Sequence, residues 1–171
     1  MRPPRKDKSA GVVNRGPYKE CKEETVSKDK KLTFVEADDV ETQVFDWGRL
    51  SWLTEPRVTR AEKFSAGIVT LAPGKGHIRH NHPQSEEILY IIKGRGKQIV
   101  EVDGKPIEKN VGPGTLVHIP TGAYHSTVNI GRGSLVIMAV YAPFGPEAFL
   151  RTLPGVVIEP PRRAPVSSSE D

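Results

Sequence analysis

The chain has 171 residues, of which 36% are hydrophobic and 27% charged, with a formal net charge of +4. That length suits one domain, and the apolar fraction is enough for a core, which excludes a wholly disordered chain. No apolar run reaches bilayer-spanning length, the first residues lead into no secretory signal, and the single cysteine, Cys21, cannot form an internal disulfide. The expectation is an intracellular, cytoplasmic protein with no membrane partner.

The positive charge is local. Residues 1–31 carry ten Lys or Arg against five Asp or Glu, so the remainder of the chain is close to neutral. Mixed charge with few large apolar residues predicts a basic, flexible N-terminal tail, with Cys21 as a free thiol. No nucleic-acid recognition motif follows in the body, so nucleic acid is not an expected partner.

From Leu32 onward, short β-branched apolar runs alternate with Gly and Pro. They predict strands at Leu32–Val35, Val44–Leu53, Lys63–Leu71, Ile78–His82, Glu87–Lys93 and Gly96–Val102, then at Ile107–Asn110, Thr115–Ile119, His125–Asn129 and Ser134–Tyr141. Turn signals such as Ala72-Pro73-Gly74 and Val102-Asp103-Gly104 separate them. The segment from Pro146 to Leu153 alone reads as helical. Such closely spaced strands indicate an all-β antiparallel sandwich or barrel over residues 32–158, not a βαβ fold. Residues 159–171, rich in Pro and Ser, read as a disordered C-terminal tail. Ile88–Ile92 and Leu135–Tyr141 are apolar on both faces and therefore want cover on both, which argues for a homodimer.

The five histidines are His77, His80, His82, His118 and His125. His80 and His82, two apart in an extended stretch, direct their imidazoles to one face. After a turn at His82-Pro83, Glu87 opens the next strand and can return to that face. Period-two alternation groups Glu87 with Leu89 and Ile91, and puts Glu86 with Ile88 and Tyr90 on the other side. His125 begins a later strand after the Pro120-Thr-Gly122 turn. Three imidazoles and one carboxylate suit a divalent transition metal (Fe, Mn, Zn, Ni or Cu) and leave positions open for water or substrate.

The spacings are specific. Gly74, five residues, His80-Asn-His82, four residues, Glu87, six residues and Gly94 form one segment. Gly114, five residues, Pro120-Thr-Gly122, two residues, His125, three residues and Asn129 form the second. Together they resemble the two motifs of the cupin superfamily. The resemblance implies a double-stranded β-helix, or jelly roll, with a short C-terminal helix and a metal held by His80, His82, Glu87 and His125. Asn129 and the motif glycines would serve turns and packing. The family includes dioxygenases, isomerases, lyases and binding domains, so the fold does not name the reaction. The stretch His125-Ser-Thr-Val-Asn129-Ile-Gly131 is similar to that of archaeal cupin-type glucose-6-phosphate isomerases.

The expectation is a small metalloenzyme for an oxygen-rich metabolite, dioxygenase-like or sugar-phosphate isomerase-like. The alternative is a non-catalytic small-ligand-binding or sensor domain. No catalytic residue is identified; Glu101 and His77 are the candidate proton carriers, though His77 reads first as a surface residue. His118 reads as packing, Arg95 as solvated, and Phe45, Trp47, Trp52, Tyr90 and Tyr141 as core.

Overall fold

The computed structural model describes residues 32–163; the expected basic tail with Cys21 lies outside the described residues. A 3-10 turn at Ala37–Asp39 precedes β1 (Thr42–Phe45), β2 (Gly48–Thr54), β3 (Ser65–Leu71), β4 (Gly76–His80) and β5 (Glu86–Lys93). Then come β6 (Gly96–Val102), β7 (Lys105–Val111), β8 (Leu116–Ile119), β9 (His125–Asn129) and β10 (Leu135–Ala142). A single helical turn and a half, α1 (Pro146–Leu150), and a short β11 (Val157–Glu159) complete the described chain.

All strand pairs are antiparallel and fall into two sheets. The larger is ordered β11-β1-β2-β3-β10-β5-β8, and the smaller β4-β9-β6-β7. Alternating side chains from their inner faces build the core, in which Trp52, Leu71, Ile91, Ile119, Leu135 and Ile137 are at most 2% exposed. β5 shows the rule: Glu87, Leu89 and Ile91 are buried, and Glu86, Ile88, Tyr90 and Ile92 are exposed. The all-β antiparallel architecture expected from the strand spacing is present, as is the jelly roll that the motif resemblance implies.

Local departures have physical causes. The run Val44–Leu53 is not one strand but a hairpin turning at Asp46-Trp47. Gly48, the first residue of β2, lets that strand approach β3, because a Cβ there would stand 2.2 Å from the Thr70 carbonyl oxygen. Leu32–Val35 forms no strand, and Phe34 is exposed. The helix stops at Leu150, short of Leu153. Past the boundary expected at residue 158, Glu159 still belongs to β11, paired with Thr42 of β1. Beyond it, the Arg162 and Arg163 backbone N–H groups both donate to the Asp38 carbonyl at 3.0 Å.

Candidate metal centre

β5, β4 and β9 bring the four residues to one point inside the barrel. Glu87 faces inward from β5, and His125 faces inward from β9, where it pairs with His80 of β4. His82 lies in the loop after β4. That loop is pinned to the Pro120-Thr-Gly122 turn from both sides: Gly122 N–H donates to the His82 carbonyl (2.9 Å) and Asn81 Nδ2 donates to the Gly122 carbonyl (3.1 Å). The two sequence motifs are therefore one joined piece of structure.

One ligand atom from each of His80, His82, Glu87 and His125 lies within 4.8 Å of the others. His80 Nδ1 bonds the Ile78 carbonyl (2.7 Å) and His125 Nδ1 the Ala123 carbonyl (3.0 Å), which aims each Nε2 at the centre. Nε2 of His80, His82 and His125 and Oε2 of Glu87 are all buried without a hydrogen-bond partner. Glu87 Oε2 lies 2.9 Å from His125 Nε2 and 3.5 Å from His82 Nε2, close in distance but without hydrogen-bond alignment. Four converging, desolvated donors with nothing to bond are what a metal ion would satisfy. The three-nitrogen, one-oxygen set fits a borderline transition metal better than magnesium or calcium.

The local electrostatics agree with the geometry. Burial pushes the Glu87 carboxyl up, but the adjacent His125 and His82 imidazoles outweigh it and hold the group down at about 2. Burial and the neighbouring His77 and His125 lower His80 to about 3. His125 is opposed by burial yet raised by Glu87. Tyr141, directly opposite Glu87 on β10, is kept neutral first by burial and then by that carboxylate.

His77, expected first as a surface residue and otherwise as a proton carrier, is partly buried and faces the cavity. The register of β4 against β9 shifts between His77 and His80, leaving Ile78 and Arg79 both exposed. This bulge turns His77 inward along with His80. Its ring stands 3.9 Å from that of His80 and 4.9 Å from that of Trp47, which itself stacks on Phe45 at 4.6 Å. Burial lowers His77 to about 4. A small cavity of about 30 Å³ is lined by Trp47, His77, His80, Glu87, His125, Thr127 and Tyr141, with Leu50, Leu71, Val69, Leu89, Ile137 and Leu150.

Other expectations resolve individually. Glu86, the rival carboxylate, is exposed and lies 3.8 Å from His118, which is exposed rather than packed. Glu101 is no proton carrier for this site, because it faces outward and holds Arg79 through two bonds of 2.7 and 2.8 Å. The Arg79 guanidinium also covers the Tyr124 ring. Trp52 and Tyr141 belong to the core and Trp47 packs against it, Trp47 and Tyr141 also line the cavity, and Tyr90 is 38% exposed. Asn129 is fully buried: its Nδ2 donates to the Leu71 and Gly133 carbonyls, and its Oδ1 accepts from Gly131 N–H, a packing role.

Residues 67–141, which contain both motifs, match the family described as Cupin domain. An uncharacterized protein of Methanocaldococcus jannaschii is 32% identical over 96 residues, covering 56% of this chain and 74% of that protein. The chain belongs to the cupin family. This cupin is also 38% identical over 68 residues to the glucose-6-phosphate isomerase of Thermococcus kodakarensis, covering 39% of this chain and 35% of the isomerase. The oxalate decarboxylase of Lactobacillus farciminis, solved as a formate complex, superposes with a TM-score of 0.58 at 29% identity, over 68% of this chain and 36% of that one. The cupin thus spans about a third of the length of either enzyme. No helix among the described residues is long and apolar enough to cross a membrane.

Proposed function

We propose that this cupin is a small metalloenzyme acting on an oxygen-rich small molecule, with one divalent transition metal held by His80, His82, Glu87 and His125. The observation that carries the reading is the set of four buried, unpartnered donor atoms aimed at one point. Fe, Mn, Zn, Ni and Cu all fit the donor set. Such a metal supplies Lewis-acid or oxygen-activating chemistry. The protein's part is to hold it: Glu87 offsets one positive charge, the Ile78 and Ala123 carbonyls fix two imidazoles, and Leu50, Leu89 and Ile137 supply apolar lining beside it.

Within this reading the reaction is either an oxygen-dependent cleavage or an oxygen-independent isomerisation or elimination. The alternative is a binding or sensing domain without turnover. One observation favours it: Glu87 is the single carboxylate lining the cavity among the described residues, and it is committed to the cluster. The test is to load chelator-stripped protein with each metal in turn. Small hydroxy acids, keto acids and sugar phosphates are then offered in air and without oxygen, with products followed by NMR. Metal-dependent turnover that vanishes in His82→Ala supports the enzyme; saturable binding without turnover on the whole panel supports the sensor.

We further assign the protein to the cytoplasm, as a homodimer. The outer face of β5, β8 and β10 exposes Ile88, Tyr90, Ile92, Leu116 and Met138. β5 begins at Glu86 and ends at Lys93, both exposed, so a second copy packed antiparallel across a two-fold axis would set Lys93 of each near Glu86 of the other.

A further inference from the structure

At the end of the barrel away from the metal centre, three loops share one sequence pattern. Gly74-Lys75-Gly76 joins β3 to β4, Gly94-Arg95-Gly96 joins β5 to β6, and Gly131-Arg132-Gly133 joins β9 to β10. Each sets a cation between two glycines. Far apart in sequence, the three are held together by one dipeptide. Asn129 N–H donates to the Lys75 carbonyl at 2.8 Å, and Ile130 N–H donates to the Arg95 carbonyl at 3.0 Å. The fully buried Asn129 side chain completes the joint: its Nδ2 donates to the Gly133 carbonyl and its Oδ1 accepts from Gly131 N–H, both at 2.8 Å. Asn129 and His125 stand at opposite ends of β9, about 13 Å apart at the usual rise of a strand.

Lys75, Arg95 and Arg132 are exposed, and among the described residues none of them has an ion pair. Arg49, Arg79, Lys97 and Arg151, by contrast, each hold a carboxylate. Among the described residues, Asp46 in the β1–β2 hairpin is the one acid in the turns at this end. The fold does not demand a glycine at position 133: its φ is not positive, and a Cβ there would meet nothing within 4 Å. Its bareness does let an anion approach the backbone N–H groups beside Arg132.

Charge and geometry together narrow the ligand. Three long cationic side chains rise from either side of the Asn129-Ile130 dipeptide and can converge on one molecule. A ligand with several linked negative groups satisfies all three, where a monoanion satisfies one. The planar guanidinium groups of Arg95 and Arg132 each match two phosphate oxygens at once.

We infer that these three loops form a binding site for a small oligophosphate, a ligand with two or three linked phosphoryl groups. Arg95 and Arg132 hold adjacent phosphoryl groups, Lys75 balances the remaining charge, and Asn129 keeps the three loops in register. The site is separate from the metal centre and does not rest on the metal reading.

The experiment titrates full-length protein by calorimetry with orthophosphate, tripolyphosphate, ATP and citrate. Tripolyphosphate binds about 10-fold or more tightly than orthophosphate or citrate, one per chain, and its affinity falls with added salt. Arg95→Gln and Arg132→Gln each weaken it about 5- to 10-fold, and the double variant abolishes it with strand content unchanged by circular dichroism. Lys105→Gln, which removes an exposed cation on β7, leaves it unchanged. In NMR spectra of labelled protein, the Gly94, Gly131 and Gly133 amide signals shift on binding. ATP binding like tripolyphosphate supports a site that reads the phosphate chain alone; tighter ATP binding supports one that takes nucleotides. Citrate binding as tightly as tripolyphosphate overturns the phosphate assignment. Tripolyphosphate binding that survives in the double variant belongs to the basic residues 1–31 or to metal capture and overturns the inference, as does an equal loss in Lys105→Gln.

Discussion

His77 and His80 lie three residues apart in β4, yet their ring centroids are 3.9 Å apart on the same side of the strand. A regular strand would send them to opposite faces, and the bulge between them is what joins them. Gly76 lets β4 come close enough to β9 for this, since a Cβ there would meet the Thr127 carbonyl oxygen at 2.2 Å. Gly76→Ala must push the two strands apart, and these strands carry His77, His80, His125 and Thr127. We expect a loss of about 1–3 kcal/mol of stability in urea denaturation, together with weaker metal binding although no ligand is changed. Unchanged stability and affinity would count against the close approach.

The metal-free protein should lose stability in acid. His77 and His80 fall from 6.5 to about 4 and about 3, so below pH 6.5 the unfolded chain binds more protons at these positions than the folded one. Glu87 falls from 4.5 to about 2, which extends the loss below pH 4.5. His125, raised by Glu87, acts in the opposite direction, and its contribution fades as pH rises through its raised value. Urea midpoints measured in chelator should therefore drop steadily between pH 6.5 and 3, and His77→Gln should flatten the upper part of that slope. A midpoint independent of pH over this window would refute the assignment.

The sequence carried most of this site because its chemistry is local. The spacing His80-Asn-His82 and the phase of Glu87 against Leu89 and Ile91 follow from two-residue alternation, and Glu86 was separable from Glu87 on the same ground. What alternation could not reveal was non-local. The inward turn of His77 depends on how β4 registers with β9, and β11 exists only through its pairing with β1. Trp47 reads as core, with a substrate mouth as the alternative, because it is an aromatic residue in a strand run. The hairpin turn at Asp46-Trp47 lets it pack against the core and line the cavity as well.

α1 is fixed beside the barrel by charge. Arg151, just after it, bonds Glu41 and Glu55, and Glu55 is 3% exposed. Burial raises the Glu55 carboxyl despite this partner. Arg151→Ala leaves that carboxylate buried without its guanidinium, at a cost of about 3–5 kcal/mol. Arg151→Met with Glu55→Gln should recover a good part of it, because the stranded charge is gone. Thermal denaturation of the two variants checks this; equal losses would show that packing, not charge, governs the contact.

The exposed apolar face of β5, β8 and β10 predicts the oligomeric state. Met138, opposite Tyr90 in the register, sits within it. Light scattering after gel filtration should give twice the chain mass for the wild type and the monomer mass for Met138→Lys, with strand content unchanged by circular dichroism. A wild-type monomer at micromolar concentration would remove the dimer.

The metal centre is tested most directly by elemental mass spectrometry on untagged protein purified without chelator. The account predicts close to one transition-metal ion per chain, and less than a tenth of that in Glu87→Gln and in His82→Ala, both still folded. Loss of even one supporting partner around a bound metal ordinarily costs about 10- to 100-fold in affinity, and loss of a direct ligand costs more. Wild-type protein that stays metal-free after reconstitution with excess Fe(II), Mn(II) and Zn(II), or variants that keep their full metal, would contradict the assignment of these four residues.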